Sequence, residues 1–319
     1  MTILVTGGAG FIGSHLVEAL LAQGHRVICL DNYDPFYDPA IKRRNLAPAL
    51  QNSGFRMIEG DLRDEPLIGK IFQDEKIEVV AHLAARAGVR PSVQDPALYA
   101  DVNIRGTVHL LEACRKNDVG RFVFASSSSV YGNNSKVPFS EEDPVNTPVS
   151  PYAATKKSGE LVCHTYHHLY GIAVSCLRYF TVYGPRQRPE MAIHHFTRSI
   201  YEGKQISVFG KGDSLRDYTF IDDAVQGTLG ALSRERGYEI YNIGESQTIS
   251  LSQLIRTLEE KIGRKARLEY LPEQPGDVKH TYADIRKAKK ELGYNPRTNI
   301  GEGLDRFVQW YKENFDTRA

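Results

Sequence analysis

Short apolar runs alternate with stretches of helical periodicity through the first half of the chain. Thr2-Ile3-Leu4-Val5, Val27-Ile28-Cys29-Leu30, Phe55-Arg56-Met57-Ile58, Glu78-Val79-Val80-Ala81-His82, Arg121-Phe122-Val123-Phe124-Ala125 and Ala173-Val174-Ser175-Cys176-Leu177 read as strands. Runs this short and this apolar suit strands buried on both faces of a parallel sheet. Between them, Ile12, Leu16 and Leu20 recur at helical spacing, and further helices are predicted over 64–73, 99–116 and 152–170. The alternation predicts an α/β fold, a Rossmann-type doubly wound parallel sheet with helices on both faces. After Leu177 the rhythm breaks into loops rich in Gly, Pro and Arg, which predicts a smaller C-terminal α/β lobe. Tyr218-Thr219-Phe220-Ile221-Asp222-Asp223 and Tyr241-Asn242-Ile243 read as returns to the main sheet. Helices over 251–262 and 301–314, around a strand near 267–270, complete the tail. The predicted division is therefore 1–178 with a returning segment 217–243, and a second lobe of 179–216 and 244–319. Residues 32–50, with mixed charge and three prolines, read as a surface excursion.

Chemistry enters at the strand ends. The first strand runs into Thr6-Gly7-Gly8-Ala9-Gly10-Phe11-Ile12-Gly13, in which Gly7, Gly10 and Gly13 keep a Gly-x-x-Gly-x-x-Gly spacing. Strand, glycine turn and helix in that order form a phosphate cradle, because the free N–H groups of a helix start face the pyrophosphate of a dinucleotide. The second strand ends at Asp31, about twenty residues past the glycines, where a carboxylate accepts ribose hydroxyls. It also repels a 2′-phosphate, so NAD is favoured over NADP. Farther on, Ser150-Pro151-Tyr152-Ala153-Ala154-Thr155-Lys156 sets a tyrosine four residues before a lysine. On a helix the two share a face. An ammonium beside a phenol stabilises the phenolate, which can take a proton from an alcohol while a hydride leaves the same carbon.

Composition narrows the class. A chain of 319 residues, 25% charged and with a formal net charge of +1, gives no reason to expect nucleic acid or an anionic membrane as partner. No apolar stretch is long enough to span a bilayer, and a cytoplasmic protein is expected. Cys29, Cys114, Cys163 and Cys176 lie far apart without metal-ligand spacing, which predicts buried thiols and no metal. His164 and His168 share a helical face and His194 and His195 are adjacent, but no carboxylate or cysteine completes a metal site.

The glycine loop, Asp61-Leu62, Leu83-Ala84-Ala85, Ser126-Ser127-Ser128-Ser129-Val130-Tyr131-Gly132 and Tyr152 with Lys156 resemble the extended short-chain dehydrogenase/reductase family of nucleotide-sugar epimerases and dehydratases. Ala87-Gly88-Val89-Arg90, the segment from Thr181 through Tyr183-Gly184-Pro185-Arg186-Gln187-Arg188 to Met191, and Arg216-Asp217-Tyr218 look like those of UDP-glucuronate 4-epimerases. The resemblance implies NAD as cofactor and a UDP-sugar as substrate. It makes Tyr152 the general base, Lys156 the holder of the nicotinamide ribose, and Ser127 the partner of the sugar 4-hydroxyl. Gly7, Gly10, Phe11, Ile12, Gly13, Asp31 and Asn32 would hold the dinucleotide. Asp61 and Leu62 would flank the adenine, Leu83, Ala84 and Ala85 would line the cofactor, Ser126 and Tyr179 the nicotinamide, and Asn103 the site floor. For the substrate, Gly88, Arg90, Ser128, Ser129, Thr181, Arg188 and Ala192 would line the sugar, Arg216 would meet the diphosphate, Asp277 the uridine ribose, and Phe196 or Phe209 the uracil. The helix pair over 99–116 and 152–170 often forms a four-helix homodimer interface in this family, and a homodimer is expected.

A plainer reading stands beside each of these. A serine run is commonly a polar loop, and Arg90 or Arg188 could be a surface or ion-pair residue. Within the resemblance, decarboxylases place a glutamate where this chain has Ser129, and dehydratases an Asp-Glu pair where it has Ser128-Ser129. Their absence points to 4-epimerisation of UDP-glucuronate. The alternatives are a 4-epimerase of UDP-glucose or UDP-N-acetylglucosamine and a non-catalytic NAD-binding regulator.

Overall fold

The structure, a computed structural model, describes residues 1–272 and 280–315. Its strands are β1 (Thr2–Thr6), β2 (Arg26–Asp31), β3 (Phe55–Glu59), β4 (Val79–His82), β5 (Arg121–Ser127), β6 (Ala173–Tyr179), β7 (Thr181–Tyr183), β8 (Gln205–Phe209), β9 (Leu215–Phe220), β10 (Tyr238–Ile243), β11 (Thr248–Ser250) and β12 (Arg267–Leu271). Seven of them form one parallel sheet in the order β10-β6-β5-β4-β1-β2-β3. β4 and β6 are buried along their whole length, as their unbroken apolar runs predict. The chain winds outward from β1 to β3, then crosses over to β4 and winds the other way. That reversal leaves a crevice between the carboxyl ends of β1 and β4, where ligands bind such sheets.

Local signals place the helices that surround this crevice. Phe11–Ala22 starts at Gly10, which has no side chain to cap it. Pro151–Tyr170 is set by Ser150, whose hydroxyl accepts the Ala153 N–H at 3.1 Å, by Pro151 in the first turn, and by Gly171 at φ +71° as terminator. The predicted 99–116 helix is interrupted. Pro96–Ala100 passes into a π-turn at Asp101–Arg105 before Gly106–Lys116, and the π-turn presents Asn103 inward.

Three departures from the sequence reading have physical causes. Tyr238–Ile243 does return to the main sheet, but Leu215–Phe220 joins a separate three-stranded sheet, parallel to β7 and antiparallel to β11. There the buried Asp217 carboxylate accepts backbone N–H groups of Glu245, Ser246 and Ala283 at 2.7, 3.0 and 3.0 Å, stapling distant segments that no local pattern connects. Residues 32–50 are no loose excursion. They contain the helix Pro39–Leu46, with Lys42, Asn45 and Leu46 buried. Asn45 donates to the Ala9 carbonyl at 3.1 Å and Lys42 to the Asp34 carbonyl at 2.8 Å, so these polar groups bury with partners. The helices Ala192–Glu202 and Arg286–Leu292 add to those anticipated. Among the described residues no helix is long and apolar enough to cross a membrane. All four cysteines are buried and free.

A buried ion pair joins the layers beneath the crevice. Glu160, on the Pro151–Tyr170 helix, receives Nε and Nη2 of Arg178 from β6 at 2.8 and 2.9 Å, and the Ser126 hydroxyl from β5 at 2.7 Å. Burial alone would raise the Glu160 carboxyl, but the two-point Arg178 contact wins and holds it below its ordinary value. Glu160→Ala leaves the Arg178 charge buried without its partner and should cost about 3–5 kcal/mol. Urea melts measure it; a loss under about 1 kcal/mol would mean that the remaining contacts of Arg178 suffice.

Candidate active site

One cavity of about 420 Å³ runs along the carboxyl edge of the sheet and takes in most of the predicted site. Gly7, Gly10, Phe11, Ile12 and Gly13 line it at one end, with Asp31, Asn32, Asp61, Leu62, Leu83, Ala84 and Ala85. Ser126 through Ser129, Tyr152, Lys156 and Tyr179 form its middle, and Gly88, Thr181 and Arg188 its far end. Asn103 lies buried behind the lining, donating to Thr155 and the Arg86 carbonyl at 3.0 Å each. Arg90, Ala192, Phe196, Phe209 and Arg216 are not in the lining. Arg90 instead sits over the Phe209 ring at 5.4 Å, Phe196 is buried in its helix, and Arg216 donates to its neighbouring Leu215 carbonyl at 3.0 Å. Asp277 lies outside the described residues.

The glycine end fits a dinucleotide. A Cβ on Gly13 would stand 2.1 Å from the Gly7 carbonyl oxygen, so this turn closes only without one. A Cβ on Gly10 would meet just that same oxygen, at 3.1 Å, and would otherwise occupy cavity space. The first-turn N–H groups of the helix have no intrahelical acceptors and no capping side chain, which leaves them for an anion. Asp31 accepts the N–H groups of Ala9 at 3.0 Å and Tyr33 at 2.8 Å, one on each oxygen, and each oxygen keeps a lone pair for a hydroxyl. Asp61, gripped by Arg63 and bonded by Asn32 at 2.8 Å, is pulled down to about 2 and stays ionised.

Tyr152 stands on the first turn of its helix with the Tyr99 ring edge-on at 6.3 Å. It is half-buried and its open side faces the cavity. Desolvation raises its phenol above the ordinary value; the Ser127 hydroxyl and the Arg188 charge oppose that rise. Lys156, expected to lower the phenol, is not among the groups that do so here. The Lys156 ammonium lies 5.9 Å from the Tyr152 ring centre, donates to the Ala125 carbonyl at 2.6 Å, and is itself driven down to about 8 by burial. Ser127 caps a short turn, accepting the Ser129 N–H at 3.1 Å and donating to the Ser129 hydroxyl at 3.0 Å. Ser126 spends its hydroxyl on Glu160, and Tyr179 shares its own with Thr228 at 2.7 Å, so both contribute to the wall with their polar ends engaged.

At the far end Arg188 pairs with Glu190 at 3.0 Å and has the Phe36 ring 6.0 Å from its guanidinium carbon. Asp34, Phe36, Tyr37, Lys42, Arg86 and Met191 also line the cavity and were missed. Arg86 was findable, since it follows Leu83-Ala84-Ala85 at a strand's carboxyl end. The others come from the segment read as an excursion or, in Met191, from the run beyond Arg188. Two of the histidines singled out in the sequence pack against aromatic rings. His164 meets Tyr238 edge-on at 4.9 Å, and His194 lies among Phe307, Trp310 and Tyr311.

Comparison with known proteins gives the family. The family model described as GDP-mannose 4,6 dehydratase matches residues 4–307. The chain belongs to this family of extended short-chain dehydrogenases/reductases. UDP-glucuronate 4-epimerase of Thermodesulfobacterium geofontis is 48% identical over 98% of this chain and 97% of its own. The crystal structure of UDP-glucuronic acid 4-epimerase from Bacillus cereus, in complex with UDP-glucuronic acid and NAD, superposes with a TM-score of 0.92 at 41% identity, covering 98% of this chain and 99% of that one. UDP-glucose 4-epimerase of Thermotoga maritima, crystallised with UDP-glucose, has a TM-score of 0.90 at 38% identity over 98% and 99%. The cofactor of this family member is NAD. Residues Gly7 to Gly13 and Asp31 are those that would hold it, and it is an enzyme of the epimerase kind.

Two consequences can be measured. Asp31→Ala should weaken NAD by about tenfold or more and relax discrimination against NADP, read by fluorescence titration of each. Equal wild-type affinity for the two cofactors would remove Asp31 from that role. For Lys156, depressed from 10.5 to about 8, the folded state has shed a proton that the unfolded chain still carries between those values. Stability therefore rises with pH across that window, and the burial penalty is complete below about pH 8. Lys156→Met should gain more stability at pH 7 than at pH 10, by about 2–3 kcal/mol in urea melts. An equal effect at both would show a lysine of ordinary basicity.

Proposed function

We propose that this chain is an NAD-dependent UDP-sugar 4-epimerase whose preferred substrate is UDP-glucuronate, converted to UDP-galacturonate. The observation that carries the reading is one continuous cavity that brings a dinucleotide cradle, Tyr152 with Ser127, and the Arg188 guanidinium together, with serines at 128 and 129. Bound NAD supplies the acceptor for the C4 hydride and afterwards its donor. Tyr152 takes the 4-hydroxyl proton as that hydride leaves, and Ser127 orients the hydroxyl. The resulting 4-keto sugar turns about its diphosphate linkage to present its other face, and Tyr152 returns the proton as the hydride comes back. No external redox partner is consumed.

A 4-keto uronate is a β-keto acid and loses CO₂ when its C5–C6 bond stands perpendicular to the ketone. Restraint requires a held carboxylate and no proton donor for the carbanion. Arg188 offers a two-point fork to that carboxylate, with Thr181, Ser128 and Ser129 as hydroxyl partners. Serines in the two positions supply no acid for decarboxylation or elimination.

One observation favours the neutral-sugar reading: Glu190 already neutralises part of the Arg188 charge. Glu190 is the more exposed partner, at 41% against 23% for Arg188, so a substrate carboxylate in the cavity can displace it at modest cost. A non-catalytic regulator is disfavoured by the intact Tyr152 and Lys156. We assign residues 1–178 and 221–243 chiefly to cofactor binding and the remainder, with β9, chiefly to the nucleotide sugar, and propose a cytoplasmic location and a homodimer. The dimer proposal rests on Leu161, Leu169 and Tyr170, exposed at 57%, 59% and 49% along the Pro151–Tyr170 helix.

The deciding experiment is NMR-monitored turnover of UDP-glucuronate and UDP-glucose without added cofactor. UDP-glucuronate should lead by at least about tenfold in kcat/KM, since an unpaired guanidinium costs about 1–3 kcal/mol. Arg188→Ala should erase most of that lead while changing UDP-glucose little, and pentose product should stay minor. Faster turnover of UDP-glucose by wild-type enzyme would give the neutral-sugar reading the case.

A further inference from the structure

Tyr37 stands in the wall of the active-site cavity with a buried hydroxyl that has no hydrogen-bond partner. A phenol O–H taken from water and left unpaired costs free energy, so a ligand or an ordered water is needed to complete its bond. The ring is fixed from behind. The Lys42 ammonium lies over it at 4.8 Å and donates to the Asp34 carbonyl at 2.8 Å, which holds the segment in place. The neighbouring residue, Phe36, packs toward both cavity arginines, its ring 5.1 Å from Arg86 and 6.0 Å from Arg188. The charges that reach the Tyr37 hydroxyl are those of Arg188, Asp31 and Glu190, with Arg188 the largest influence after burial.

We propose that Tyr37 is a specificity-determining residue, donating its phenolic O–H to the carboxylate of the sugar that Arg188 holds. This rests on the uronate reading above and deepens it. Burial keeps the phenol protonated, so it offers a donor without adding charge. A carboxylate has acceptor sites to spare after a two-point contact with guanidinium, and a neutral donor beside Arg188 takes one of them. A 6-hydroxymethyl group is both donor and acceptor and gains less, since hydrogen bonds to charged groups are roughly twice as strong as neutral ones.

The test is calorimetric titration of NAD-loaded wild type and Tyr37→Phe with UDP-glucuronate and with UDP-glucose, plus NAD affinity measured separately. The variant deletes one oxygen and keeps the ring under Lys42. UDP-glucuronate affinity should fall about tenfold, while UDP-glucose and NAD stay within about twofold. A fall in NAD affinity with the sugars unchanged would assign the hydroxyl to the cofactor and overturn the proposal. No change in any titration would overturn it as well. Wild-type protein that prefers UDP-glucose overturns both this proposal and the uronate reading, whereas a preserved uronate preference with an unaffected Tyr37→Phe overturns this one alone.

Discussion

Proton and hydride transfer at one carbon requires a site that excludes water, yet the tyrosine proposed to move the proton must ionise there. Desolvation opposes that ionisation. It raises the Tyr152 phenol and drives Lys156 down to about 8. In the protein alone, only Ser127 and Arg188 push the phenol the other way. An oxidised nicotinamide, when bound, would add a positive charge that favours the phenolate further. Cofactor retention and base strength are in this way linked through the same desolvated space.

Holding these groups in place falls to structure that never touches a ligand. The Glu160–Arg178 pair fixes the Pro151–Tyr170 helix against β5 and β6, and its Ser126 contact sets the end of β5 from which Ser127 projects. On the other flank, His82 bridges Thr6 at the end of β1 and Thr107 beyond the π-turn at 2.7 and 2.9 Å, and burial keeps it uncharged. Two buried polar networks thus lock the strand ends on which the cavity is built.

What the sequence made legible was what local pattern encodes. The apolar runs located the strands of the main sheet, the glycine spacing and Asp31 located the cradle, and helical spacing located the helix that carries Tyr152. Contacts between distant segments stayed hidden. Asp217 stapling residues 245, 246 and 283 moved β9 out of the main sheet, and the ion pair of Arg86 with Asp34 drew the 32–50 segment into the cavity wall. Lys42 and Asn45 looked like surface residues because polarity predicts exposure until a partner is known. Lys156 was assigned its electrostatic role from spacing alone, while its Ala125 carbonyl partner and its burial became visible only in three dimensions.

The central claim is that the hydride removed from C4 is kept within the site and given back to the same carbon. UDP-glucuronate deuterated at C4, turned over in ordinary water beside unlabelled UDP-sugar of distinct mass, tests it by mass spectrometry and NMR. Deuterium should remain at C4 of the UDP-galacturonate formed, with no exchange into solvent and no crossover into the unlabelled sugar. Loss of the label to water, or its free scrambling between substrates, would contradict the account.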